Sequence, residues 1–130
     1  MTNLSNWSVV IVDDEPENIG VLELVFRFNE IETHSVESGV DCLALVDKID
    51  PPTLLIIDIQ MPHMSGYELL DKLRKNPRWG HLPMIAVTAH ALEKDRDKIL
   101  NAGFDGYIPK PINVMSFIDE ISTILNTLEK

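Results

Sequence analysis

Two stretches of this chain, Val9-Val-Ile-Val12 and Leu54-Leu-Ile-Ile57, are apolar at every position. A half-buried strand alternates apolar and polar residues, so a short unbroken aliphatic run reads as a strand covered on both faces. That is the situation of a parallel sheet held between two layers of helices. The remaining sequence supplies the covers, because short apolar runs alternate with longer stretches of helical spacing five times over.

Strands are expected at Ser8–Val12, Ile31–Val36, Thr53–Ile57, Pro83–Thr88 and Asp105–Ile108. The second is the most polar and belongs at an edge, and the third is the most apolar and belongs in the centre. The first helix starts at Pro16, behind Asp14 and Glu15, since proline suits the first helical turn and acids suit its positive end. It runs to about Asn29 with Ile19, Leu22, Val25 and Phe26 inward. Ser38 caps a second helix that turns Cys42, Leu43, Val46 and Ile49 inward and is stopped by Asp50-Pro51-Pro52. After a loop from Met61-Pro62 to Gly66, a short helix bears Tyr67, Leu70 and Leu73, and Asn76-Pro77-Arg78-Trp79-Gly80 breaks it. In that break Trp79 is expected to form a lid over the core. A charged, exposed helix from Ala91 to Ala102 ends at Gly103. Asn113 caps the last helix, which presents Val114, Phe117, Ile118, Ile121, Ile124, Leu125 and Leu128 inward.

Composition narrows the function. The 130 residues suffice for one domain whose core needs no disulfide or structural metal. Twenty-one acids against eleven bases leave a net charge of −10, which repels phosphate backbones and anionic headgroups. Direct nucleic-acid binding and membrane insertion are therefore not expected. The single Cys42 excludes an internal disulfide and fits a cytoplasmic location. The polar start, Met1 to Asn6, has no basic segment ahead of an apolar one, so it is no signal peptide. The four histidines, His34, His63, His81 and His90, are too scattered for a metal cluster.

In open parallel sheets the ligand site lies beyond the carboxyl ends of the strands. The residues expected there are Asp13 and Asp14 after the first strand, Asp58 after the third, Thr88 after the fourth and Lys110 after the fifth. Gathered carboxylates cannot all stay ionised without compensation. A hard divalent cation supplies it, and oxygen-only ligands favour Mg²⁺, with Mn²⁺ as the alternative. A metal, an ammonium and a hydroxyl around one carboxylate are the equipment of phosphoryl transfer. Asp58 stands alone on the central strand and is the expected nucleophile, while the Asp13–Asp14 pair is better suited to clamp the metal.

Taken singly, each of these residues has a plainer reading. An Asp-Asp pair before a helix can be a cap, Asp58 a turn residue, Thr88 a strand end and Lys110 a solvated charge. Their convergence at one sheet edge favours the site. Flavin mononucleotide binding, common in sandwiches of this size, needs free backbone donors after the first strand, where this chain has Asp13-Asp14-Glu15. A phosphatase with an aspartate nucleophile would carry its partner acid where Gln60 stands. A purely structural interaction module would have an incomplete acidic set. No Walker loop or Gly-x-Gly-x-x-Gly is present.

From about Ser8 to Leu128 the chain resembles the receiver domain of bacterial two-component response regulators. The motifs that carry the resemblance are Val12-Asp13-Asp14-Glu15, Asp58-Ile-Gln-Met-Pro62 with Gly66, Val87-Thr88-Ala89 and Tyr107-Ile-Pro-Lys110-Pro111, in that order. The resemblance implies a doubly wound, flavodoxin-like (βα)5 sandwich with strand order 2-1-3-4-5. It also implies a phosphorylation-dependent signalling switch rather than a conventional enzyme, one that catalyses its own phosphorylation and slow autodephosphorylation. Asp58 would be the phosphoacceptor, Asp14 a direct Mg²⁺ ligand, Asp13 a ligand through water and Gln60 a ligand through its backbone carbonyl. Thr88 and Lys110 would hold the phosphoryl group, with Lys110 aimed inward by a cis Lys110-Pro111 bond. Thr88 and Tyr107 would form the switch. Gln60 and His90 occupy positions that tune phosphoryl lifetime in the family, and neither is the family's commonest residue there. The implied partners are a sensor histidine kinase or histidine phosphotransfer protein and a downstream protein target. With the last helix ending near Lys130, residues 1–130 are expected to form one receiver domain without an output domain. Ala89-His90-Ala91-Leu92 and Asp105-Gly106-Tyr107 look most like stand-alone or hybrid-kinase receivers.

Overall fold

A computed structural model describes residues 6–89 and 93–128. Five strands, β1 (Ser8–Val12), β2 (Glu32–Val36), β3 (Leu54–Asp58), β4 (Met84–Thr88) and β5 (Gly106–Pro109), alternate with five helices. The helices are α1 (Pro16–Phe28), α2 (Gly39–Val46), α3 (Gly66–Arg74), α4 (Glu93–Ala102) and α5 (Phe117–Leu128). All strand pairs are parallel, in the order β2-β1-β3-β4-β5, which is the doubly wound topology the family resemblance implies.

Strand side chains divide the core into two layers. Val9, Ile11, Leu54, Ile56, Ile85 and Val87 point to the layer built with α1 and α5. Their neighbours Val10, Val12, Leu55, Ile57, Met84 and Ala86 point to the layer of α2, α3 and α4. This two-sided burial is why β1 and β3 are apolar at consecutive positions. The polar β2 lies at an edge, as its composition requires.

Several element limits differ from the sequence reading. α2 ends at Val46, ahead of the prolines: the N–H groups of Asp47, Lys48 and Ile49 all turn back to the Leu45 carbonyl, which closes the helix in a tight turn. Ile49 therefore packs from beyond the helix and Leu43 is only half-buried. α5 begins at Phe117, because Asn113 Oδ1 accepts from the Met115 N–H and the Asn113 carbonyl receives Ser116 and Phe117, making a turn of residues 114–116. Val114 is consequently exposed, and so is Leu128 at the far end of the helix, whereas Phe117, Ile121 and Leu125 are buried as expected. Tyr67 is half-buried on α3, whose buried face is Leu69, Leu70 and Leu73. Ser65 and Glu68 close a capping box at its start. Trp79 is wholly enclosed in the α2–α3–α4 layer instead of covering it. His90, Ala91 and Leu92, the expected beginning of α4, lie outside the described residues, and Gly103 ends the helix at φ 115°. Among the described residues no helix is long and apolar enough to cross a membrane.

Candidate functional site

Asp13, Asp14, Asp58, Thr88 and Lys110 lie at the carboxyl edge of the sheet. Asp13 continues β1 by one rung, its N–H donating to the Val36 carbonyl at 3.2 Å. Its Oδ1 accepts the Glu15 N–H at 2.9 Å, which turns the chain into α1. Asp58 is the last residue of β3 and Thr88 the last of β4, and both are buried. Lys110 follows β5; its N–H donates to the Thr88 carbonyl at 2.8 Å, and the Lys110-Pro111 bond is cis. The loop after β3 is held close: Gly66 N–H donates to the Ile59 carbonyl at 2.8 Å, and a Cβ on Gly66 would lie 2.5 Å from the Asp58 carbonyl. Only glycine fits there without moving the backbone that carries Asp58.

Lys110 is the hub. Its Nζ lies 3.3 Å from Asp13 Oδ2, 3.3 Å from Asp58 Oδ1 and 3.7 Å from Glu15 Oε1. Asp13, Asp14, Glu15 and Asp58 each offer a carboxylate oxygen, and these oxygens lie within 4.8 Å of one another. Four acids thus face one ammonium. Burial pushes the Asp58 carboxyl up to about 7, reinforced by the charge of Asp13 and opposed by that of Lys110. Burial likewise raises Asp13. Burial alone would lower Lys110, but the Asp58 and Asp13 charges outweigh it and hold the ammonium charged.

The residues present fit a hard cation. Among the described residues Asp14 Oδ1 is a buried carboxylate oxygen with no hydrogen-bond partner, and Asp13 Oδ2 has beside it only the Lys110 ammonium that it shares with Asp58, a costly state that a positive ion relieves. The set is made of oxygens, the donor chemistry of Mg²⁺ rather than zinc. Gln60 stands two residues beyond Asp58, with its N–H 3.3 Å from Asp58 Oδ1.

Tyr107 lies on β5 opposite Ala86, two positions before the Thr88–Pro109 pair. It is half-buried against the α2–α3–α4 layer, and the Arg96 guanidinium sits 5.4 Å from its ring centroid. A shallow groove of about 510 Å³ beside it is bordered by Arg96, Leu100, Pro109 and Ile124. His90 lies outside the described residues. Glu15 is the one member of the site that the spacing argument leaves out: read as a helix-start acid, it instead turns its side chain toward Lys110. Its direct succession to Asp13-Asp14 was the available signal. Cys42 is buried away from this edge, and burial pushes its thiol up to about 12, so it is an inert core residue.

The chain as a whole has known counterparts. The profile of the response regulator receiver domain family matches residues 9–122. The polar-differentiation response regulator DivK of Brucella ovis is 36% identical over 118 residues, covering 91% of this chain and 95% of that protein. A putative response regulator from Chloroflexus aurantiacus has a solved structure with a TM-score of 0.84 at 29% identity, covering 92% of this chain and 98% of that one. The chemotaxis response regulator CheY4 of Vibrio cholerae shares the fold, with a TM-score of 0.84 at 20% identity over 91% of this chain and 98% of its own.

Proposed function

This chain belongs to the response regulator receiver family and is a phosphorylation-dependent signalling switch, and from that premise we propose that Asp58 is its phosphoacceptor. One observation carries the assignment: Asp58 is the buried carboxylate on the central strand, 3.3 Å from the one ammonium that the described residues bring to the four clustered acids. Receiver domains bind Mg²⁺, and here Asp13, Asp14 and Asp58, with the backbone carbonyl of Gln60, would hold it. When bound, the ion supplies positive charge to the phosphoryl oxygens.

The chain's own groups do the rest. A phosphohistidine of a sensor kinase or phosphotransfer protein presents its phosphorus to an Asp58 oxygen. The new O–P bond forms as the N–P bond breaks, and the electron pair returns to the imidazole nitrogen. Lys110 stays with the transferred group as a fixed positive charge, released from its pairing with the Asp58 oxygen that has reacted. Thr88, at the end of the neighbouring strand, donates its hydroxyl to a phosphoryl oxygen. Phosphorylation replaces the single carboxylate charge of Asp58 by about two negative charges on the phosphoryl oxygens, where burial already penalises charge, so these two contacts differ strongly between the two states. Movement of Thr88 toward the phosphoryl group opens space on the sheet face that Tyr107 shares, and the inward shift of Tyr107 relays the change to α4, β5 and α5. The signal then leaves by docking to a protein target in the cytoplasm or by onward transfer to a histidine. The same pocket returns the phosphoryl group slowly to water.

Asp58→Asn tests the assignment, since it keeps the shape and removes the nucleophile. Incubation with a phosphorylated kinase and Mg²⁺ should label the wild type with an acid-stable, base-labile phosphoryl group and leave the variant unlabelled. Labelling of the variant at the wild-type rate would refute it.

A further inference from the structure

Glu15 is the exposed member of an otherwise sheltered cluster: its side chain is 63% accessible, against 2% for Asp13 and 3% for Asp58. It occupies the N-cap of α1, where Ser, Thr, Asp or Asn would serve the helix better. Its side chain makes no capping hydrogen bond there. Its backbone does the local work instead, donating to Asp13 Oδ1 and accepting from the Asn18 and Ile19 N–H groups. That leaves the carboxylate available to the site, with Oε1 3.7 Å from Lys110 Nζ and an oxygen within 4.8 Å of those of Asp13, Asp14 and Asp58. A carboxylate that makes no capping hydrogen bond, exposed to solvent and 3.7 Å from the Lys110 ammonium, meets a charged donor that approaches Asp58 from water.

We propose that Glu15 is a specificity-determining residue that filters phosphodonors by charge, disfavouring small, free, doubly anionic donors against a phosphoryl group delivered on a docked protein. This rests on Asp58 being the phosphoacceptor. Both donor classes undergo the same exchange: an O–P bond forms at Asp58, the bond from phosphorus to acetate oxygen or imidazole nitrogen breaks, and the leaving group keeps the pair. They differ in what offsets repulsion at the mouth. A docked protein has an interface to do so, whereas a free acyl phosphate has only the local field. Glu15 adds a negative charge to that field on the exposed side, where salt screens it.

The test compares wild type, Glu15→Gln and Glu15→Lys at saturating Mg²⁺, with uptake read on phosphate-affinity gels. The donors are acetyl phosphate, doubly anionic, and phosphoramidate, zwitterionic and singly anionic overall. At low ionic strength Glu15→Gln should accelerate uptake from acetyl phosphate about fivefold and Glu15→Lys more, with smaller gains for phosphoramidate and smaller gains for both donors in high salt. Mg²⁺ affinity, measured by calorimetry, should fall by less than about tenfold, as expected of a charge that acts through the field rather than by ligation. Equal rates in wild type and Glu15→Gln at low salt would overturn the inference, as would a gain that salt leaves intact. A loss of about tenfold or more in Mg²⁺ affinity would overturn it too, since Glu15 would then be a cation ligand. If Asp58→Asn takes up phosphoryl groups from acetyl phosphate as fast as the wild type, the Asp58 assignment itself fails and takes this inference with it.

Discussion

The two edges of the sheet treat charge in opposite ways. At the carboxyl edge, Asp13, Glu15 and Asp58 share Lys110 with Asp14 clustered beside them, and among the described residues the buried Asp14 Oδ1 has no hydrogen-bond partner. At the amino edge, Arg74 from the end of α3 meets Asp105, just ahead of β5, at 2.9 Å. The same guanidinium donates to the carbonyls of Gly80, Leu82 and Gly103, while Asp105 Oδ2 also accepts the Met84 N–H at 2.8 Å. Arg78 adds hydrogen bonds to the Val46 and Ile49 carbonyls at the end of α2. One charge answers one charge there, and the spare donors reach backbone groups. The exception is the indole N–H of Trp79, which is buried without a partner. The amino edge is thus built as a clamp between α2, α3 and the start of β5, whereas the carboxyl edge is left short of positive charge. An edge with that deficit suits a cation, which is the ground for the Mg²⁺ and phosphoryl roles proposed for it. An edge in balance holds the frame against which the response is made.

The sharpest way to break this contrast is to cut the clamp. Arg74→Ala strands the Asp105 carboxylate and three carbonyls, and should lower unfolding stability in urea by about 3 kcal/mol. A loss under about 1 kcal/mol would show that the amino edge is no clamp. The opposite sign is expected across the sheet. Asp13→Asn keeps an acceptor for the Glu15 N–H and removes one of the crowded charges, so the metal-free protein at neutral pH should gain about 1–2 kcal/mol while losing Mg²⁺ affinity. Denaturation with and without Mg²⁺ reads both effects, and destabilisation of the metal-free form would contradict the charge deficit.

Acidity sharpens the same point. The folded value of Asp58, about 7, lies above its unfolded value of about 3.9, so the folded state retains a proton that the unfolded state releases. The metal-free protein should therefore lose stability as pH rises from about 4 to about 7, and Asp58→Asn should lack that component. Parallel pH dependences of wild type and variant would remove the claim. The smallest effect belongs to an exposed pair. Lys75 and Asp71 meet at 3.1 Å on the surface of α3, and Lys75→Ala should change stability by no more than about 0.5 kcal/mol. A larger loss would mean that pairing by itself, rather than burial of the paired groups, distinguishes the edges.

Much of this was legible in one dimension. Continuous apolar runs at β1 and β3 announce burial on both faces, and a strand's direction places Asp58, Thr88 and Lys110 at one end without any knowledge of packing. The Ser65-x-x-Glu68 pattern was equally open to reading as a helix start. The limits of α2 and α5 were less so. The prolines after α2 mark where a helix cannot continue, but local turn bonds to Leu45 end it sooner, and Asn113 serves a turn rather than the helix. The partners of Arg74 were not legible at all, because Gly103 and Asp105 lie 29 and 31 residues away.

By itself the sequence determined the alternation of strands and helices, the two-sided core and the set of polar groups that strand ends deliver to one edge. These follow from the period of the backbone and the preference of apolar surface for burial, which act over a few residues. Only the tertiary structure decided how far burial raises Asp58, which carboxylate oxygen is left without a hydrogen-bond partner, and that the Glu15 side chain serves the Lys110 cluster rather than its own helix. Such properties depend on distances between charges and on the solvent excluded around them, quantities that exist only once distant segments have come together.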